Sequence, residues 1–197
     1  VCRGKEATEE GIARRCFSLK LIRFFCSKNS TVQNIFNKDI TDITNEEVWE
    51  LFAFSKKELK KRGLVRTNNI VGERGEFLAI ETYNKIPNLP KLQAAPEGTQ
   101  NVDALSRKGE RYSVKSMMEP SKTTGVFYGV GNLGDEDAPE KKFEYVIIVV
   151  IDSDFNLKRM LELDWEQFLK FRRWHKTMRA WNLSITKKIT SEARIIF

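Results

Sequence analysis

Histidine and cysteine are scarce in this chain, which limits the metal and disulfide chemistry available to it. It has one histidine, His175, and three cysteines, Cys2, Cys16 and Cys26. The cysteines lack the paired spacing and the partner histidines of a zinc site. Their odd number argues against a disulfide framework and favours a reducing compartment, so we expect a cytoplasmic protein.

Long apolar runs are also absent. The longest, residues 146–151, is far shorter than the roughly 20 residues that a membrane-spanning helix needs. Arg and Glu interrupt the apolar residues near the start of the sequence, which argues against a signal peptide. We therefore expect no membrane among its partners.

Acidic residues are fewer than basic residues. The 197 residues carry a formal net charge of +7 with a sequence pI of about 9.3. Residues 157–197 hold ten lysines and arginines against four acids, so the C-terminal quarter is the basic end. Such an excess favours binding to a polyanion such as nucleic acid. The length suits one domain spanning residues 1–197.

The N-terminal half begins without a clear pattern. In residues 1–44, "FSLKLIRFFC" fits either a buried strand or a helix. A helix is then predicted from a Thr44 or Asn45 cap to Gly63, with Trp49 on its buried side. A second helix is predicted from about residue 72 to the residue before the prolines that mark a loop.

The C-terminal half reads as a sheet with helices. "FEYVIIVVID" is typical of a central strand covered on both faces, and "NLKRMLELD" suits its neighbour. "WEQFLKFRRWHKTMRAW" is predicted to be a basic helix and "ARIIF" a final strand. We therefore predict an α/β fold with a mixed central β-sheet flanked by helices. Its parts are an N-terminal segment (1–44), a core (45–161) and a basic C-terminal part (162–197).

The stretch "NVDALSRKGERYSVKS" predicts two strands joined by a turn, and the turn decides which side chains meet. A three-residue loop ending at Gly109 puts glycine at the left-handed position of a common hairpin loop. Asp103 then pairs with Ser113 and shares one face with Lys115. A two-residue turn separates Asp103 from Lys115, but the apolar residues favour the longer loop.

An acid beside a lysine on paired strands can hold Mg²⁺ against a phosphate and orient the attacking water. The order of residues in "GE...VDA...YSVKS" resembles the PD-(D/E)XK nucleases, the restriction endonuclease-like superfamily, over residues 45–161. The resemblance implies a restriction endonuclease-like core. It implies metal binding by Asp103, Glu76 and the Val114 carbonyl, and a catalytic role for Lys115.

Two departures from the family pattern leave the activity open. Ser113 stands where the family has an acid, although a serine can still bind a metal-bound water, and Asn101-Val102 replaces a proline element. For Asp103 and Lys115 the alternative is a surface salt bridge, which contributes roughly 0–1 kcal/mol.

The resemblance implies a Mg²⁺-dependent type II restriction endonuclease of a restriction-modification system, with Mn²⁺ as a possible substitute. Double-stranded DNA would be its substrate and a homodimer its assembly. Two alternatives remain: a repair or junction-resolving nuclease, and a catalytically degenerate DNA-binding protein.

Nine polar side chains are candidate DNA contacts, because their donors and acceptors fit phosphates and base edges. They are Arg66, Asn68, Asn69, Lys122, Thr123, Thr124, Arg172, Arg173 and Lys176. Capped loops and solvated faces are the alternatives. "GVGNLG" matches a dinucleotide-binding glycine pattern, but the acidic "DEDAPEKK" follows it where that motif needs a helix, so we expect no nucleotide cofactor.

Overall fold

The computed structural model describes residues 34–96 and 98–197, and the segment "FSLKLIRFFC" lies outside this range. The chain divides into two compact units between Arg62 and Gly63. The described part of the first unit holds a short 3₁₀ turn, Ile40–Asp42, and helix α1, Asn45–Lys61. The sheet and all residues of the candidate site belong to the second unit.

Helix α1 begins where its capping residues predict. Thr44 and Glu47 form a capping box, in which each side chain accepts a hydrogen bond from the backbone N–H of the other. The predicted burial of Trp49 is wrong, because its side chain is 71% exposed and packs edge-on against Phe52 of the same helix. Periodicity predicts an apolar face but not whether another element covers it. No helix among the described residues has the length and apolar content to cross a bilayer.

The second unit is built on a six-stranded mixed sheet. In spatial order its strands are β1 (Leu92–Ala94), β2 (Ala104–Ser106), β3 (Arg111–Met118), β4 (Tyr145–Ile151), β5 (Leu157–Asp164) and β8 (Arg194–Ile195). The β3–β4 pair is parallel and the other pairs are antiparallel. With α2 (Ile70–Lys85), α3 (Trp165–Phe171) and α4 (Lys187–Glu192) beside it, this confirms a mixed α/β fold with flanking helices.

Strand β4 lies at the centre, as its sequence predicts, because both of its faces are buried. Val146, Ile148 and Val150 pack into one apolar cluster with Phe168 of α3. The alternate residues of β4 pack into a second cluster with α2 residues such as Leu78. Both faces of an all-apolar strand must be covered to remove it from water, and this requirement fixes the layers of the unit.

Two local predictions are wrong. The basic helix ends at Phe171, and the rest of that stretch forms a two-stranded hairpin of β6 (Arg173–His175) and β7 (Ala180–Asn182). The rings of Trp174 and Trp181 meet across it at 5.1 Å, a cross-strand contact that the helical prediction missed. Strand β1 was also missed, because it is a three-residue edge strand inside a proline-marked loop.

Helix α2 packs closely on β3 because position 75 has no side chain. A Cβ atom at Gly75 would lie 1.6 Å from the Ser116 Oγ and 2.6 Å from its Cβ. The close approach keeps Glu73 and Glu76, on the neighbouring turns of α2, beside the strand that carries Lys115. Glycine here therefore sets the distance between the helix and the sheet.

We expect Gly75→Ala to destabilise the protein by about 1–3 kcal/mol, because overpacking outweighs the gain in helix propensity. Urea unfolding would measure the difference. Gly125→Ala is the matched control, since a Cβ there meets no atom within 4 Å. Equal stability of the two variants would show that helix α2 can move away from β3 without cost.

Candidate active site

The hairpin adopts the three-residue loop, so this prediction is confirmed. Ala104 pairs with Tyr112, and the Ser106 N–H donates to the Glu110 carbonyl at 2.9 Å. Gly109 has φ +85°, the left-handed conformation that the loop requires, and its N–H donates to the Ser106 carbonyl. Asp103 and Ser113 are therefore opposite each other on one face of the sheet.

The Asp103 carboxylate caps the end of the β2–β3 ladder. Its Oδ2 accepts the Val114 N–H at 2.6 Å and the Ser113 hydroxyl at 3.3 Å, while its own N–H donates to the Tyr112 carbonyl. The N–H and C=O of one strand residue point to the same edge, so the Val114 carbonyl also faces Asp103. Both hydrogen bonds use Oδ2, so neither of them occupies Oδ1.

Lys115 lies on the same face but does not pair directly with Asp103. Its Nζ is 5.0 Å from the centre of the Phe127 ring, within range of a cation–π contact, and no carboxylate oxygen of the described residues lies within 4.0 Å of it. Phe127 is buried and its N–H donates to the Trp181 carbonyl at 2.7 Å. No local pattern in the sequence links Phe127 to the hairpin, so its contact with Lys115 could not be predicted.

Helix α2 brings two carboxylates to this end of the sheet, and Arg66 in the loop before the helix contacts both of them. The Arg66 guanidinium contacts Glu76 at 2.8 Å through Nη2 and Glu73 at 3.3 Å through Nε. The Thr67 N–H also donates to Glu73 at 2.8 Å. Although burial raises the pKa of Glu73, these hydrogen bonds outweigh it and hold the pKa below its ordinary value.

The pKa of Glu76 shifts in the opposite direction to that of Glu73. Burial, followed by the nearby Asp103 charge, raises the pKa of Glu76 to about 7, although the Arg66 and Lys115 charges act to lower it. Each of these charges acts on Glu76, so the carboxylates, the lysine and the arginine form one electrostatic site. A cation bound between Glu76 and Asp103 would relieve their repulsion.

The carboxylate and carbonyl oxygens of this site are of the kind that Mg²⁺ binds when the protein supplies few of its ligands. Among the described residues, no three histidine, cysteine or acidic side chains converge closely enough to hold a metal ion. Mg²⁺ is nonetheless often bound by one or two carboxylates with waters completing its shell. Asp103, Glu76 and the Val114 carbonyl could supply oxygen ligands of this kind, while the fully buried Ser113 contacts Asp103.

Residues 66–69 have structural roles in front of helix α2. Arg66 pairs with the two acids, so its guanidinium is turned toward the site. Asn69 is the N-cap of α2, and its side-chain oxygen accepts the Gly72 N–H at 3.1 Å. This matches the alternative prediction of a capped loop. Asn68 beside it is exposed. DNA contact by Asn68 and Asn69 remains a prediction.

Two of the other predicted DNA contacts have structural partners within the protein. Thr124 is buried and its Oγ1 accepts the Leu183 N–H, so it fixes a loop against β7. Arg172 is partly buried, donates to the Val130 carbonyl at 2.8 Å and lies over the Trp181 ring. The predicted helical stripe fails here because Arg172 caps α3.

The remaining predicted DNA contacts are all exposed. They are Lys122, Thr123, Arg173 and Lys176.

No protein-family model matches the chain, and no curated protein matches it significantly. The geometry of the site therefore carries the functional argument.

The raised pKa of Glu76 predicts a pH-dependent cost in stability. The unfolded chain loses this proton near the ordinary pKa of 4.5, whereas the folded protein keeps it to about 7. The contribution of Glu76 to wild-type stability should therefore fall as the pH rises from about 4.5 to about 7. Relative to wild type, Glu76→Gln should become more stable across this window, by about 1–3 kcal/mol.

Urea unfolding at pH 5 and pH 7.5 would measure this change, with Glu81→Gln on the outer part of the same helix as control. A wild-type to Glu76→Gln difference that is independent of pH would contradict a buried, repelled Glu76 carboxyl.

Proposed function

We propose that this protein is a Mg²⁺-dependent endonuclease that hydrolyses phosphodiester bonds of double-stranded DNA. The observation that carries the proposal is the hairpin register, which aligns Asp103, Ser113 and Lys115 on one face within electrostatic reach of Glu76. The proposed class is the restriction endonuclease-like nucleases, most closely a type II restriction endonuclease. A homodimer acting on a palindromic site in the cytoplasm belongs to the same proposal.

Each residue has a defined task in this reaction. Asp103, Glu76 and the Val114 carbonyl would hold Mg²⁺, or Mn²⁺ in its place, which supplies charge neutralisation and lowers the pKa of a bound water. Lys115, held over Phe127 without a carboxylate partner among the described residues, orients the attacking water. The water oxygen forms a new bond to phosphorus as the P–O ester bond breaks. The attacking water gives up one proton to solvent, and the leaving ester oxygen takes up one proton from solvent.

Ser113 favours a second candidate, a DNA-binding protein with an inactive site. The hydroxyl stands where the nuclease pattern has a carboxylate, and it donates to Asp103 at 3.3 Å from a fully buried position. One charged ligand is therefore missing, which weakens the attraction for a divalent cation. Metal-dependent cleavage of DNA separates the two candidates.

The test is incubation of the purified protein and its variants with long double-stranded DNA and Mg²⁺, followed by sizing of the products. Asp103→Asn and Lys115→Ala should each lower cleavage by at least about 100-fold while DNA binding persists. Glu81→Gln, which removes an exposed carboxylate from α2, should retain activity. Discrete fragments support a restriction endonuclease and smears a repair or junction-resolving nuclease.

Cleavage by Asp103→Asn at the wild-type rate would overturn the assignment of the site. Wild-type binding without cleavage would favour the inactive DNA-binding protein instead.

Ser113→Asp tests the departure from the nuclease pattern. A carboxylate at position 113 would repel Asp103 in the absence of metal, because their side chains are hydrogen-bonded neighbours in wild type. Hard divalent cations favour carboxylate oxygens, so Mn²⁺ should bind the variant several-fold more tightly. Thermal unfolding with and without Mn²⁺ should accordingly show a larger metal-dependent rise in Tm than in wild type.

Asp103→Asn/Ser113→Asp is the matched control, since it returns the net charge of the pair to its wild-type value. An equal Mn²⁺ response of Ser113→Asp and wild type would show that the two residues share no metal site.

A further inference from the structure

A large depression in the second unit is lined by cations that the proposed chemistry does not use. Its volume is about 1060 Å³, and Lys122, Arg159 and Lys187 line it together with threonine and serine hydroxyls. Glu119 is the acid among its lining residues. Arg159 belongs to β5 and Lys187 to α4, so the cations are brought together by the tertiary fold.

A second basic depression is built on the β6–β7 hairpin. Its volume is about 380 Å³, and Arg173, Lys176 and His175 line it beside Trp174 and the buried Asn182. No acidic side chain is among its lining residues. Arginine, lysine and aromatic side chains commonly bind the phosphates and bases of nucleic acids, and Trp174 is partly exposed here.

The two depressions adjoin at one short bridge. Thr123 and Ser184 form an isolated β-bridge with their hydroxyls 3.2 Å apart, and both residues line the second depression. Their chain neighbours Lys122 and Ile185 line the first and are joined by a 2.7 Å backbone hydrogen bond. The basic surface therefore continues from one depression into the other.

We call five cations of this surface the basic track: Lys122, Arg159 and Lys187 in the first depression, and Arg173 and Lys176 in the second. No carboxylate oxygen of the described residues lies within 4.0 Å of their charged nitrogens. By contrast, Lys158 beside them is 3.7 Å from Asp152. The charges of the track are therefore available to an anionic ligand.

Packed rings connect the second depression to the candidate active site. Lys115 lies over Phe127, Phe127 hydrogen-bonds to the Trp181 backbone, and the Trp181 ring meets that of Trp174 at 5.1 Å. In the other direction, β3 runs from Lys115 to Met118, and Glu119 follows at the edge of the first depression. Both depressions are thus connected to Lys115 through elements packed beside it.

We propose that the basic track binds the phosphate backbone of the double-stranded DNA on which the site acts. This inference rests on the proposed function for the identity of the DNA. Five cations spread over two adjoining depressions match a ligand with repeated phosphates, because a single phosphate group would contact only part of them. Neutralising several phosphates also releases counterions, which makes such binding steeply dependent on salt.

The experiment measures binding of a labelled DNA duplex by fluorescence anisotropy, in EDTA so that no cleavage occurs, over a range of salt concentrations. The track variant is Lys122→Gln/Arg159→Gln/Lys187→Gln. The control is Lys85→Gln/Lys108→Gln/Lys141→Gln, which removes the same charge from exposed positions of the same unit. A second variant, Arg173→Gln/Lys176→Gln, tests the other depression.

The salt slope of the triple track variant should be shallower by about 2–3, since each phosphate contact contributes about 0.9. Its affinity at low salt should fall at least about tenfold, and the control should bind like wild type. Equal losses in the track variant and the control, or no binding by wild type, would overturn the track.

Cleavage is scored separately, so the two proposals can fail independently. DNA binding that depends on the basic track, without metal-dependent cleavage, would support the basic track and contradict the proposed nuclease activity.

Discussion

The hydrogen bond from the Val114 N–H to the Asp103 carboxylate is the contact on which the candidate site depends. At the end of β2 a side-chain oxygen takes the place of a backbone carbonyl and satisfies a strand N–H. The same bond fixes the carboxylate, turns the Val114 carbonyl toward it and holds Ser113 opposite. Lys115 then lies on that face by strand alternation alone. The ladder therefore fixes the backbone positions of Asp103, Ser113 and Lys115 relative to one another.

Helix α2 adds charges whose protonation depends on their partners. Glu73 and Glu76 are one turn apart, yet their pKa values shift in opposite directions. Arg66 donates hydrogen bonds to both, but Glu73 also accepts the Thr67 N–H. At Glu76, burial and the Asp103 charge outweigh the effect of Arg66 on the pKa. The close packing at Gly75 places both acids, so a steric feature of the helix controls the electrostatics of the sheet edge.

Much of the fold and part of the site follow from local patterns in the sequence. The all-apolar β4 had to be central because both of its faces need cover, and the position of Gly109 required the longer hairpin loop. Together they place Asp103, Ser113 and Lys115 on one face. By contrast, the exposure of Trp49 had no local signal, since a helix does not encode which of its faces is covered.

The sequence by itself determined the strand alternation, the hairpin register, the Thr44 cap of helix α1 and the excess of positive charge in the C-terminal quarter. Only the tertiary structure decided that Arg66 is turned toward Glu76, and that Arg159 and Lys187 line one depression. It also turned residues 173–182 from a predicted helix into a hairpin. The physical reason is range: turns and periodicity depend on neighbours along the chain, whereas charge partners and covered faces depend on strands and helices far apart in sequence.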